Sequence, residues 1–262
     1  MSRPSESSGA ADSAGQPWAG RRFEPSAFAS DDGTAPVALA TAIAAFRDGS
    51  AGPEPVVEAF RDARLLIPLL AAAGDLGRTE EGLTVDKTQE LSIVTVTAPD
   101  GRRVLPVFSS VAAMAAWRPD ARPVPADGVR VALAAAGDGT DLVVLDPTSE
   151  SEFGLRRPMV WAIAQGHAWT APWGDRRVAD AVQASVGDEP AVVRVALHAG
   201  DPDARLVGAE VEVRLWLRDG LGRDAVDGLV ARLSARWAEN EVIASAVDSL
   251  AVSLRQAPPV GS

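Results

Sequence analysis

Apolar residues recur along this chain at two different periods, and the alternation between them predicts its elements. Leu39, Ile43 and Phe46 fall at helical spacing ahead of Gly49, and Val56, Val57 and Phe60 share one face behind Pro53, so the sequence opens on two helices. LLIPLL (65–70) reads as a strand, and Pro68, which has no donor for a ladder, assigns it to an edge or a bulge. Residues 74–88 are a polar loop, and QELSIVTVT (89–97) has the two-faced apolar and β-branched character of a central strand. Asp100-Gly101 turns the chain into a partner strand over 102–108. Ser109 or Ser110 caps a helix with Val111, Met114 and Trp117 inside. Residues 124–136 fit a helix and LVVL (142–145) a strand ended by Asp146-Pro147. A short buried helix then runs from Pro158 to Gly166 with Met159, Val160, Trp161 and Ile163 inward.

HAWTAPWG (167–174) reads as a linker, and a different pattern follows it. Val178, Ala181 and Val182 mark a helix, and AVVRVALHA (191–199) a strand. In 208–220 the alternation is cleanest: Val211, Val213, Leu215 and Leu217 face one way and Glu210, Glu212, Arg214 and Trp216 the other, as in a half-buried antiparallel strand. Val226, Leu229, Val230, Leu233 and Trp237 form a helical stripe, and residues 242–254 supply a last strand. The fold class is α+β, with two small domains, each a mostly antiparallel or mixed sheet with helices packed on it. The boundaries are a disordered tail over 1–35, a domain over 36–166, the linker over 167–174, a second domain over 175–254 and a tail over 255–262. The second domain has the order α-β-β-α-β, a ferredoxin-like split sandwich lacking an edge strand. Trp18, Phe23 and Phe28 are the large apolar residues of the first tail.

The first domain resembles the SseB protein N-terminal domain. The resemblance rests on ordered features: opening helices, the LLIPL strand (65–69) and a strand ending at Phe108-Ser109-Ser110. A helix closing on Trp117 comes next, then LVVLDPTS (142–149) and the short helix up to Gly166. Many relatives carry Asn-Pro where this chain has Asp146-Pro147, and both pairs suit a turn. The second half is similar to the additional domain of longer family members. What the resemblance implies is a bacterial protein from a family named for an enhanced serine sensitivity phenotype, with some members tied to type III secretion loci and no agreed enzymatic activity.

Composition narrows the chemistry. The formal net charge is −11 and the pI about 4.7, which argues against nucleic-acid binding and against docking on anionic lipid. Cysteine and tyrosine are absent, so no disulfide, thiolate nucleophile or cysteine-ligated metal is possible, and Lys87 is the only lysine. The start of the chain lacks the apolar core of a signal peptide and no run reaches the length of a spanning helix, so cytoplasmic residence is the expectation. No nucleotide-binding, serine-hydrolase or zinc-protease motif occurs, and the glycine pairs Gly74/Gly77 and Gly137/Gly139 read as turns. Asp146, Ser149, Glu150 and Glu152 are an oxygen-rich group read as a capped turn in preference to a Mg²⁺ or Ca²⁺ loop, and no cofactor or metal is expected.

His167, just past a helix C-terminus, and His198, on a polar strand face, each lack a sequence-defined partner for acid–base work. The tryptophans carry more. Trp117, Trp161 and Trp237 fall on predicted core faces. Trp216 projects from a polar face and needs a cover, and Trp169 and Trp173 flank Pro172 in the linker, where they set the angle between domains. Arg156 and Arg157, ahead of a helix start, read as surface charges, with an anionic ligand as the functional alternative. Two readings follow: a non-catalytic interaction or adaptor protein with an unidentified protein partner, or a sensor or enzyme for an amino-acid-like anion using a cleft between domains.

Overall fold

The computed structural model describes residues 31–71, 91–137 and 139–258. Residues 1–30, with Trp18, Phe23 and Phe28, the expected loop at 74–88 and the end at 259–262 lie outside the described residues. The first half runs α1 (Val37–Arg47), α2 (Glu54–Asp62), β1 (Arg64–Ala71), β2 (Leu91–Ile93), β3 (Val96–Thr97), β4 (Arg103–Val107) and α3 (Val111–Trp117). It continues through β5 (Arg122–Asp127), α4 (Gly128–Gly137), β6 (Val143–Leu145), β7 (Phe153–Leu155) and α5 (Arg157–Gln165). The second half runs α6 (Arg176–Ser185), β8 (Val192–Ala199), β9 (Val211–Leu217), α7 (Arg223–Glu239), α8 (Glu241–Ala246) and β10 (Leu250–Gln256).

The strands form three sheets among the described residues, ordered β2-β1-β5, β3-β4-β6-β7 and β10-β9-β8, and the fold is α+β. Several local expectations change. β1 is the middle strand of its sheet and not an edge. Leu66 exchanges both backbone hydrogen bonds with Phe108, so Pro68, two residues on, turns its missing donor to the same side, in the gap before the β2 ladder begins at Leu69. On the other side Pro68 faces Pro123. The expected helix over 124–136 is β5 followed by α4, because two prolines, Pro123 and Pro125, hold the chain extended. The central strand expected over 89–97 is divided between β2 and β3, each at a sheet margin, with residues 89 and 90 outside the described residues. β7 was not expected, and the first part of 242–254 is α8, whose amides from Val242 and Ile243 are capped by Asn240 Oδ1.

The second half follows the expected order of elements, with β8 antiparallel to β9. β10 is parallel to β9 and directly beside it. A ferredoxin-like split sandwich would place a strand between them; here α7 and α8 make an undivided β-α-β crossover.

Two main apolar clusters result. One collects α1, α2, α4 and α5 against the first two sheets, with Phe60, Leu145 and Phe153 at its centre; the other packs α6, α7 and α8 on the inner face of β8, β9 and β10. The inward row of β9 is nearly sealed, and each such side chain contributes roughly 1.5–3 kcal/mol by burial. The described residues from Gly33 onward form one compact unit.

The connection between β8 and β9 is what ties the clusters together. It carries Ala204 into the first cluster and Leu206 under β4 and β6. Gly154 N donates to Ala204 O at 2.6 Å, and a Cβ at Gly154 would meet Leu206 Cγ at 2.6 Å. Gly154→Ala should therefore push the loop off β7 and cost about 1–3 kcal/mol. Urea unfolding checks this, and an unchanged midpoint would show that the loop gives way freely.

Candidate functional site

Arg156 is the N-cap residue of α5 and is buried, not a surface charge. Its extended backbone points the side chain across to the second half, where Nη2 donates to Asp201 Oδ2 at 2.6 Å and to Gly208 O at 2.7 Å. Nη1 reaches Asp248 Oδ2 at 3.3 Å and Ser249 Oγ at 3.4 Å. Asp201 also accepts from Leu206 N at 2.7 Å, which fixes the β8–β9 connection. Asp248 sits just before β10 and is shared with Arg102 of the β3–β4 hairpin at 2.9 Å. Burial alone would raise the pKa of Asp248, but Arg102 and Arg156 outweigh it and hold the carboxyl below its ordinary value.

Glu210 closes the cluster. Its Oε2 accepts from Asp248 N at 2.6 Å, and Oε1 is buried without a partner among the described residues. Desolvation, reinforced by the neighbouring Asp248 charge, pushes its pKa up to about 7. The void beside Arg156, Asp201, Glu210 and Trp173 is about 20 Å³, room for one water and not for an amino acid.

Arg157 points elsewhere. Its Nη2 donates to Ala244 O at 2.9 Å and Val247 O at 3.0 Å, the carbonyls that end α8, and its guanidinium lies 5.3 Å from the ring of Trp161. Trp161 is 41% exposed rather than in the core, and its Nε1 donates to Asp141. Trp169 is buried in the first cluster, while Trp173 packs against both clusters. His167 is exposed beyond the left-handed cap Gly166 (φ 69°), and its carbonyl accepts from Arg61.

A second feature lies on the outer face of β10-β9-β8. Register places Trp216 between Arg194 and Arg255, and Arg194 stacks 4.5 Å from the indole centroid. One row along, Arg214 binds Glu212 Oε2 at 2.7 Å, and this pairing, with Arg255 near, holds Glu212 down at about 2. His198 lies opposite Glu212 in register on this open face. The face thus carries three arginines, Arg194, Arg214 and Arg255, around a partly buried tryptophan on a chain of net charge −11. Arg194 has no carboxylate partner among the described residues.

A third is a pocket of about 630 Å³ between α1, the start of α3 and the β6–β7 turn. Asp146 forms its floor in a left-handed conformation (φ 45°), accepting from Ser109 N at 2.8 Å, Ser109 Oγ at 2.6 Å and Ser151 Oγ at 2.9 Å. These donors satisfy the carboxylate from within the chain, and no group of metal-ligating residues occurs among the described residues. Sequence reading identified Asp146 as a turn residue but not its burial; the αL-tolerant Asp before proline was the available signal.

The described residues thus define an α+β protein whose halves are clamped by a buried arginine and whose outer sheet presents an arginine-bracketed tryptophan. Residues 39–162 match the model of the SseB protein N-terminal domain, so this segment is an SseB N-terminal domain. Comparison with curated proteins and with solved structures found no match to the chain. No helix among the described residues is long and apolar enough to cross a membrane.

Proposed function

We propose that this chain is a non-catalytic interaction or adaptor protein of the bacterial cytoplasm, built from domains over 36–166 and 175–254 joined at 167–174. The observation that supports the reading is the Trp216 face. A partly buried indole stacked by Arg194 on an outer sheet face is the aromatic-plus-arginine pairing that anchors protein interfaces. Its positive charge suits an acidic protein surface, and it stands clear of the apolar clusters.

Tagged protein purified from its native cells is the test, with Trp216→Ala and Arg194→Ala run beside the parent. The expected result is loss of a specific co-purifying partner, a weakening of at least tenfold, at unchanged thermal stability. Partners retained in full by both variants would remove this face from the reading.

The sensor alternative draws support from the pocket above Asp146 and not from the joint around Arg156, where the void is too small and the guanidinium is already occupied. A thermal-shift screen of amino acids and small anions separates the two: a saturable shift lost in Arg205→Ala, at the pocket wall, favours the sensor.

A further inference from the structure

β10 is a margin of its sheet, paired only to β9 among the described residues. Val211 N donates to Ser249 O and Ala257 N donates to Leu217 O, so odd-numbered residues turn their backbone toward β9. By the alternation of a strand, Leu250, Val252, Leu254 and Gln256 turn their amides and carbonyls outward. The inward side chains at this margin are also incompletely covered. Leu215 of β9 is fully buried, whereas Leu254 beside it is 40% exposed, and a crevice of about 360 Å³ lies along Leu250, Val252, Trp237 and Ile243. The opposite margin differs: β8 is interrupted by an irregularity between Val192 and Arg194, a feature that deters further pairing. β10 keeps a regular register through all its seven residues.

We propose that β10 pairs antiparallel with β10 of a second copy of this chain, about a two-fold axis at Ser253. This register sets Val252 opposite Leu254 of the second copy, both with outward backbone groups, so each such pair exchanges two hydrogen bonds. The same pairs bring the uncovered Leu254 onto Val252 at the crevice. On the outer face Arg255 falls opposite Ala251 of the second copy, whose neighbour on β9 is Glu212. The small Ala251 leaves the arginine a path to that carboxylate, and the two-fold repeats the ion pair. An unrelated peptide would satisfy the backbone but not this reciprocal charge match, which is why a second copy is the occupant. The pairing engages Arg255 at the margin of the Trp216 face but leaves the indole and Arg194 on the β8 side uncovered, so dimerisation and the adaptor reading fail by different tests.

Sedimentation velocity over a concentration series and cysteine crosslinking test the pairing. The chain has no cysteine, so Ser253→Cys places a single thiol at the axis. Facing Cα atoms at a site without hydrogen bonds lie about 4.5 Å apart, within disulfide range. The expected results are a reversible dimer for the parent and a disulfide-linked dimer for Ser253→Cys. Leu254→Lys should stay monomeric at every concentration with an unchanged circular dichroism spectrum. A parent that is monomeric throughout overturns the proposal, as does a dimer that survives Leu254→Lys or that Ser253→Cys fails to crosslink.

Discussion

Arg156→Ala should lower the unfolding free energy by about 3–5 kcal/mol, the largest single-residue loss expected outside the apolar clusters. The reason is what the substitution leaves behind. The side chains of Asp201 and Asp248 are 2% and 3% exposed, and their charges stay buried when the guanidinium goes. Asp248 keeps Arg102, but Asp201 keeps only the amides of Leu206 and Arg205. Arg156→Lys should recover little of the loss, since one ammonium cannot span Asp201, Gly208 O and Asp248 as the planar fork does. Adding Asp201→Asn to Arg156→Ala should recover more than about 1 kcal/mol, because the orphaned charge is then gone. Urea titrations of the set decide the matter; a loss below about 1 kcal/mol for Arg156→Ala would mean that water enters the joint and that the clamp is not what holds the halves together.

The helices and strands with clean periodicity were legible: β9 alternates as its sequence does, and α5 starts at Pro158's turn and ends on Gly166. Failures came where a neighbour decided the outcome. Pro68 marks an edge only if its strand has a continuous ladder on that side, and the sheet instead leaves a gap there. Trp161 has core spacing, yet Arg157 from one turn earlier stacks on it and lets it remain at the surface. The joint was the least legible part. Arg156, Asp201, Glu210 and Asp248 are spread over nearly a hundred positions as ordinary turn and strand-end residues, and only the return of the β8–β9 connection onto β7 brings them together. Trp216 was legible as an aromatic on a polar face, but its cover, Arg194, depends on strand register.

Glu210→Gln should stabilise the protein in mildly alkaline solution and leave it nearly unchanged in mild acid. The carboxyl is raised from 4.5 to about 7 by burial and by Asp248. Between those values the folded state holds a proton that the unfolded chain has released. Stability contributed by Glu210 is therefore fully present below pH 4.5 and declines as the pH rises through 7. The span corresponds to about 3 kcal/mol. Asp248 acts in the other direction and in another range: its lowered pKa gives stability that is present above the ordinary carboxylate value and lost only as acid protonates it. The two effects thus separate along the pH axis. Glutamine keeps an acceptor for Asp248 N without carrying a charge, so Glu210→Gln should match the parent at pH 4 and exceed it by about 2–3 kcal/mol at pH 8. Unfolding free energies at the two pH values are the measurement. A variant that loses stability at both would show that the ionised carboxylate is favoured in the joint, with Arg156 and Arg157 outweighing its burial.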